Sequence, residues 1–229
     1  MARRFSLMAL FVAVAATFAV VPASLASPIN LEVAICGSAG APTASCIIAN
    51  DGGSGLATAA GTVNGITVNV TGRTTPADLP GVIDALNGEF SSSTGGTVYV
   101  WVSANNVTGG TGGFATQAAE TNVTNGVSAS VLSYETNSIG SFFGTGQQIG
   151  SALLLSNLST SAGAGSVSLT ISPYELTQEF AVTLNTTAGP QDANFTGQVA
   201  AVPEPSSMLL FGTGLSGVAA TLRRRKKNL

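Results

Sequence analysis

The 229-residue chain carries 8 Lys+Arg, 11 Asp+Glu and no histidine, which removes Ser-His-Asp and Cys-His catalysis and the commonest zinc ligand. Arg73 is the only basic residue between positions 27 and 202, against ten acids, leaving that stretch at net −9 and without the cationic phosphate contacts on which nucleic-acid binding rests. The residue set predicts a protein that is not an enzyme, with no metal, no cofactor and no nucleic-acid partner.

The predicted elements begin with a targeting segment. Arg3 and Arg4 precede an apolar run over 5–21, and Ser24-Leu25-Ala26 is a small-x-small sequence. This is the layout of a secretory signal peptide, and it predicts that signal peptidase removes residues 1–26 between Ala26 and Ser27. The run is short of the about 20 apolar residues of a membrane span. Export leads to an oxidising compartment, where Cys36 and Cys46, the only two cysteines, are predicted to form a disulfide.

Period-2 alternation then recurs over 29–35, 66–71, 127–131, 166–171 and 176–184, the last interrupted by Gln178. Each stretch predicts a strand with one buried and one wet face. "TVYVWV" at 97–102 is apolar on both faces and predicts a central strand. On it, Tyr99 and Trp101 share a face and suit either a core position or an aromatic platform for sugar. "NDGGSG" at 50–55 reads as a turn, since it lacks the spaced acids of a calcium loop. Over 78–88, Asp78 as N-cap, an apolar face of Val82, Ile83 and Leu86, and Gly88 at the C-terminal end predict one short helix. Glu175 and Glu179 share a strand face about 13 Å apart, beyond the separations of about 5 Å and roughly 6.5–9.5 Å used by glycosidases. Glu179 falls opposite Phe180 and Val182 and is expected in solvent.

Ser and Thr number 43 of the 176 residues from 27 to 202, a hydroxyl-rich composition suited to strands and turns outside the cell. The predicted fold over 27–187 is mainly β: an antiparallel β-sandwich, Ig-like or, less well matched, jelly-roll-like, with the one helix. "AGPQDANFTGQVAA" at 188–201 reads as a linker.

The tail, 202–229, opens with Val202-Pro203-Glu204-Pro205. The two prolines disfavour helix around Glu204 and hold the chain extended. The apolar run over 207–222 is 16 residues long, about 24 Å of helix at roughly 1.5 Å per residue, a bare transmembrane span. Arg223, Arg224, Arg225, Lys226 and Lys227 follow it as a cytoplasmic membrane stop. Gly212, Gly214 and Gly217 spell G-x-G-x-x-G, but no strand precedes them and no acid follows, so the nucleotide reading fails. Small residues at this spacing suit helix packing in a membrane.

Proline-Glu-proline, a glycine-bearing apolar helix and a basic cluster over about 202–227 resemble the PEP-CTERM sorting signal of Gram-negative bacteria. The resemblance implies recognition by an exosortase-type membrane protease, transient residence in the inner membrane, and release to the cell surface or extracellular polysaccharide matrix. The expected function is a structural protein of that surface or matrix. The alternative is a carbohydrate-binding module for extracellular polysaccharide, with Tyr99 and Trp101 as contacts.

Overall fold

A computed structural model describes residues 29–74, 82–108, 113–121, 126–137, 142–156, 160–167, 173–185 and 191–201. The signal peptide, the sorting residues and the transmembrane helix expected from the sequence lie outside these residues. Thirteen strands follow in chain order: β1 (Asn30–Cys36), β2 (Ile47–Asn50), β3 (Leu56–Val63), β4 (Ile66–Thr74), β5 (Val82–Ser92), β6 (Gly96–Val107), β7 (Gly113–Thr121), β8 (Val127–Thr136), β9 (Gln147–Gln148), β10 (Leu153–Ser156), β11 (Thr160–Ser166), β12 (Tyr174–Leu184) and β13 (Gln191–Ala201).

They form two antiparallel sheets. Sheet A has the order β10-β8-β12-β6-β1-β2, with β9 beside β8, and sheet B the order β11-β7-β13-β5-β4-β3. From β5 onward the chain crosses between sheets at nearly every connection. The resulting orders, β5-β13-β7-β11 and β6-β12-β8-β10, are those of a jelly roll. The sandwich is therefore jelly-roll-like and not Ig-like, and β1–β2 and β3–β4 extend its two sheets on one side.

The alternation in the sequence explains most of the strands. In β4, buried Ile66, Val68 and Val70 alternate with exposed Thr67 and Asn69. The 97–102 segment lies within β6, an inner strand of sheet A between β12 and β1, as its two apolar faces require. The core fills the space between the sheets: Val98, Val100, Val102, Phe180 and Val182 from sheet A meet Ile66, Val70, Phe90, Phe195 and Val199 from sheet B. Phe90 and Phe195 pack edge to face at 5.4 Å, and each fully buried large side chain contributes about 1.5–3 kcal/mol. Gln178 is buried here too. Its amide donates to Ser133 Oγ at 3.3 Å and, across the sheets, to Thr116 Oγ1 and the Gln198 carbonyl at 3.4 Å.

Two expectations require correction, and a third meets the described residues only in part. The helix expected over 78–88 is replaced, from residue 82 onward, by β5. Its register moves from Ile83↔Val199 to Leu86↔Gly197 on one side and from Asp84↔Arg73 to Asn87↔Thr71 on the other. β5 thus holds one extra residue against both neighbours, a β-bulge. The bulge switches the parity, so Ile83 and Phe90 both face the core although seven residues apart, as they would in a helix. The linker expected over 188–201 contains β13, hydrogen-bonded between β5 and β7 in the middle of sheet B. Ala193, Phe195, Gly197 and Val199 form its buried face. Gly197 is required there, because a Cβ would run into the Phe180 ring. The small residues that suggested a linker are what the packing demands. Finally, of the strand expected over 166–171, only Ser166 lies in a strand, at the end of β11; Val167 lies beyond it and the rest falls outside the described residues.

Candidate functional site on the covered outer face of sheet A

The face of sheet A turned away from the core gathers the residues singled out for chemistry. Trp101 of β6 lies opposite Glu179 of β12 and opposite Ala34 of β1. One step along, Ser103 lies opposite Thr177, which in turn lies opposite Tyr134 of β8. Around Trp101 this face is covered, while Leu154 and Ile48 toward its ends are exposed. Phe142 and Phe143, on the segment between β8 and β9, pack over it. Trp101, Ala34, Cys36 and Phe143 form a second apolar cluster, flanked by Cys46, Tyr99, Tyr134 and Phe142. Trp101 is only 1% exposed. The Cys36–Cys46 disulfide is present and closes its short loop against the same cluster, a constraint of about 2–3 kcal/mol on the unfolded chain.

A buried carboxylate fastens the cover. Glu175, 0% exposed, accepts three hydrogen bonds on Oε1: from the Gly144 amide at 2.7 Å, Ser103 Oγ at 2.7 Å and Thr177 Oγ1 at 2.9 Å. The Phe143 amide donates to Ser103 Oγ at 3.2 Å. Phe143 itself has φ +64°, a left-handed conformation that costs a non-glycine residue about 1–3 kcal/mol. The bonds of the Gly144 and Phe143 amides to Glu175 and Ser103 offset that strain.

Glu179, expected in solvent, is instead 9% exposed beneath this cover. Burial raises its carboxyl above the ordinary value, and the bond from Tyr134 OH at 3.4 Å draws it partly back. Burial, then the charge of Glu179, raises the Tyr134 phenol. At the other end of the face, burial and then the nearby Asp51 raise Glu32.

This arrangement is fit for holding a segment in place. Glu175 Oε1 already accepts from three donors of its own chain, and both cysteines are in the disulfide. Among the described residues no group of three or more His, Cys, Asp and Glu is placed to hold a metal. The Asp51 carboxylate caps its own turn, accepting from Gly53 at 3.0 Å and Gly55 at 2.8 Å, as the turn reading of 50–55 expects. An open hollow of about 300 Å³ lies elsewhere, lined by polar residues including Thr67, Ser91, Gln191 and Asp192 and by no aromatic ring. Of the predicted residues, the structure brings together Tyr99, Trp101, Cys36 and Cys46. Ser103, Thr177 and Gly144 were not foreseen, because nothing local marks a hydroxyl in a Thr- and Ser-rich strand as a carboxylate's partner.

Comparisons with known proteins fall on two parts of the chain. A family model described as the PEP-CTERM protein-sorting motif matches residues 201–226. No curated protein matches the sequence. Among solved structures, the chain is similar to the adhesin domain of Epf from Streptococcus pyogenes, at 8% identity and TM-score 0.42 over 76% of this chain and 60% of that one. It is also similar to the CBM22-1 xylan-binding domain from Paenibacillus barcinonensis, at 13% identity and TM-score 0.34 over 66% of this chain and 87% of that one. Residues 201–226 are thus a PEP-CTERM protein-sorting motif, the mark of an exported protein sorted by an exosortase-type membrane protein.

Proposed function

We propose that the chain is an exported structural protein of the cell surface or the exopolysaccharide matrix, released there by cleavage near its PEP-CTERM motif. The observation that carries this reading is where the motif sits. β13 ends at Ala201 and Pro203 follows two residues later. A cut near Pro203-Glu204-Pro205 leaves all thirteen strands in the released part and the apolar run in the membrane. The covering of Trp101 and Glu175 by the 142–146 segment agrees with a structural role. A carbohydrate-binding role at Trp101 requires the Phe142–Phe143 cover to leave, whereas Tyr99 is partly exposed.

Intact mass spectrometry of protein recovered from the cell surface tests the proposal. The expected mass lacks residues 1–26 and the apolar tail. A mass that still contains 208–229 overturns release and leaves a membrane-anchored protein.

A further inference from the structure

The charges of this protein are distributed in an unusual way. Every charged strand residue among those described lies on an inner strand: Glu32 on β1, Arg73 on β4, Glu120 on β7, and the others on β5, β8, β12 and β13. The strands at the ends of the sheets, β2, β3, β10 and β11, carry none, and neither does the two-residue β9, which lies on the same edge of β8 as β10. Nor do they hold a proline, and their pairings with β1, β4, β8 and β7 run without a register shift. The irregularities lie on the inner strands. Soluble β proteins protect their edges with charge, proline and bulges; the described end strands contain none of the three. The exposed large apolar side chains among the described residues sit on these same strands: Ile48 on β2, Leu56 on β3 and Leu154 on β10.

The two sides of the sandwich also fit one another. β2 packs on β3 at one side and β10 on β11 at the other. Each sheet path holds six antiparallel strands, so its two end strands run in opposite directions. A second copy displaced sideways, without being turned over, offers an antiparallel partner to both sheets at once. The lengths match as well: β2 and β10 have 4 residues each, and β3 and β11 have 8 and 7.

We infer that the chain associates with copies of itself head to tail, the β2/β3 side of one copy pairing with the β10/β11 side of the next. The main-chain hydrogen bonds of both sheets continue across the junction, as in strand addition. Because the two sides differ, the contact does not close on itself and the array grows as a filament. The charge map selects the partner. A copy of the same acidic chain approaches best along the end strands, which carry no charge apart from Asp51 in the turn between β2 and β3, whereas a cationic partner is drawn to the acid-bearing strands. The inference rests on the fold and the charge map and not on where the tail delivers the chain, so either can fail alone.

The test is sedimentation of the chain recovered from producing cells, as wild type, Ile48→Lys and Ala164→Lys. Ala164 is an exposed residue of β11. Wild type is expected to form species larger than a monomer, and more of them as salt screens the net −9 charge. Each variant alone is expected to be monomeric. Mixed in equal amounts, they are expected to give a one-to-one dimer, because each retains the side the other has lost. Circular dichroism of each variant, with Leu56→Lys and Leu154→Lys as a second pair, separates a misfolded chain from a failed junction. Monomeric wild type overturns the inference. So does assembly indifferent to the lysines, including assembly through 1–28 or 202–229, and so does a single variant that dimerises by itself.

Discussion

The amide of Gly144 donates to Oε1 of Glu175 at 2.7 Å, joining two residues 31 positions apart in the chain and tying the 142–146 segment to β12. This bond decides how the outer face of sheet A is covered around Trp101. It fixes the turn that places Phe142 and Phe143 over Trp101, and Ser103 and Thr177 complete the set of donors.

Removing the carboxylate should therefore open the cover. Glu175→Ala leaves the Gly144 amide and the Ser103 hydroxyl without their acceptor, while Thr177 Oγ1 keeps Ser103 Oγ as acceptor at 3.1 Å, and is expected to cost about 2–3 kcal/mol in urea unfolding. The specific reading is Trp101, the only tryptophan. Its emission should shift to longer wavelength and become accessible to acrylamide while the far-ultraviolet spectrum stays that of a β protein. An unchanged Trp101 environment counts against Glu175 as the fastener.

Gly197 makes a sharper demand on the core. A methyl group there meets the Phe180 ring of the facing sheet, and an overpacked core loses about 1–3 kcal/mol. Gly197→Ala is expected to lower the urea midpoint accordingly. A stability unchanged within error means that Phe180 has room to move, and that the sheets are less tightly held than their packing implies.

The third prediction concerns pH. Burial is the first cause raising Glu135 and Glu179, and burial followed by Asp51 raises Glu32, all from an ordinary value of 4.5. A carboxyl raised in the folded chain holds its proton more tightly there than in the unfolded chain. Its contribution to stability is fully present below the unfolded value and is lost as pH rises through the folded one. The self-repulsion of a net −9 segment adds in the same direction. The melting temperature is expected to be higher near pH 4.5 than at pH 7. Glu135 is fully buried, with Asn137 and Gln147 amides donating to Oε2 at 3.5 and 3.4 Å. Glu135→Gln is expected to narrow the difference between the two pH values, and an equal difference in the variant refutes this assignment.

Particular segments show what could be read without the fold. Alternation in 29–35, 66–71, 127–131 and 176–184 sufficed for strands because a strand's side-chain period is a local property of two residues. The disulfide followed from two cysteines and the export expected of the chain, and the sorting motif from a contiguous tail. In 82–92 the same rule failed, because a bulge shifts the parity, and the bulge is a matter of pairing with β4 and β13. In 191–201 it was missed because Gly197 is small for the sake of Phe180 on the other sheet.

The sequence by itself determined the strands, the bridge between Cys36 and Cys46 and the address carried by 202–227, since each depends on neighbours along the chain. Only the tertiary structure decided that Trp101 and Glu179 are covered, that Glu175 is a fastener, and that the uncharged strands are the edges. A face is wet or dry, and a strand inner or outer, according to what packs beside it, and here the packing partners lie tens of residues away.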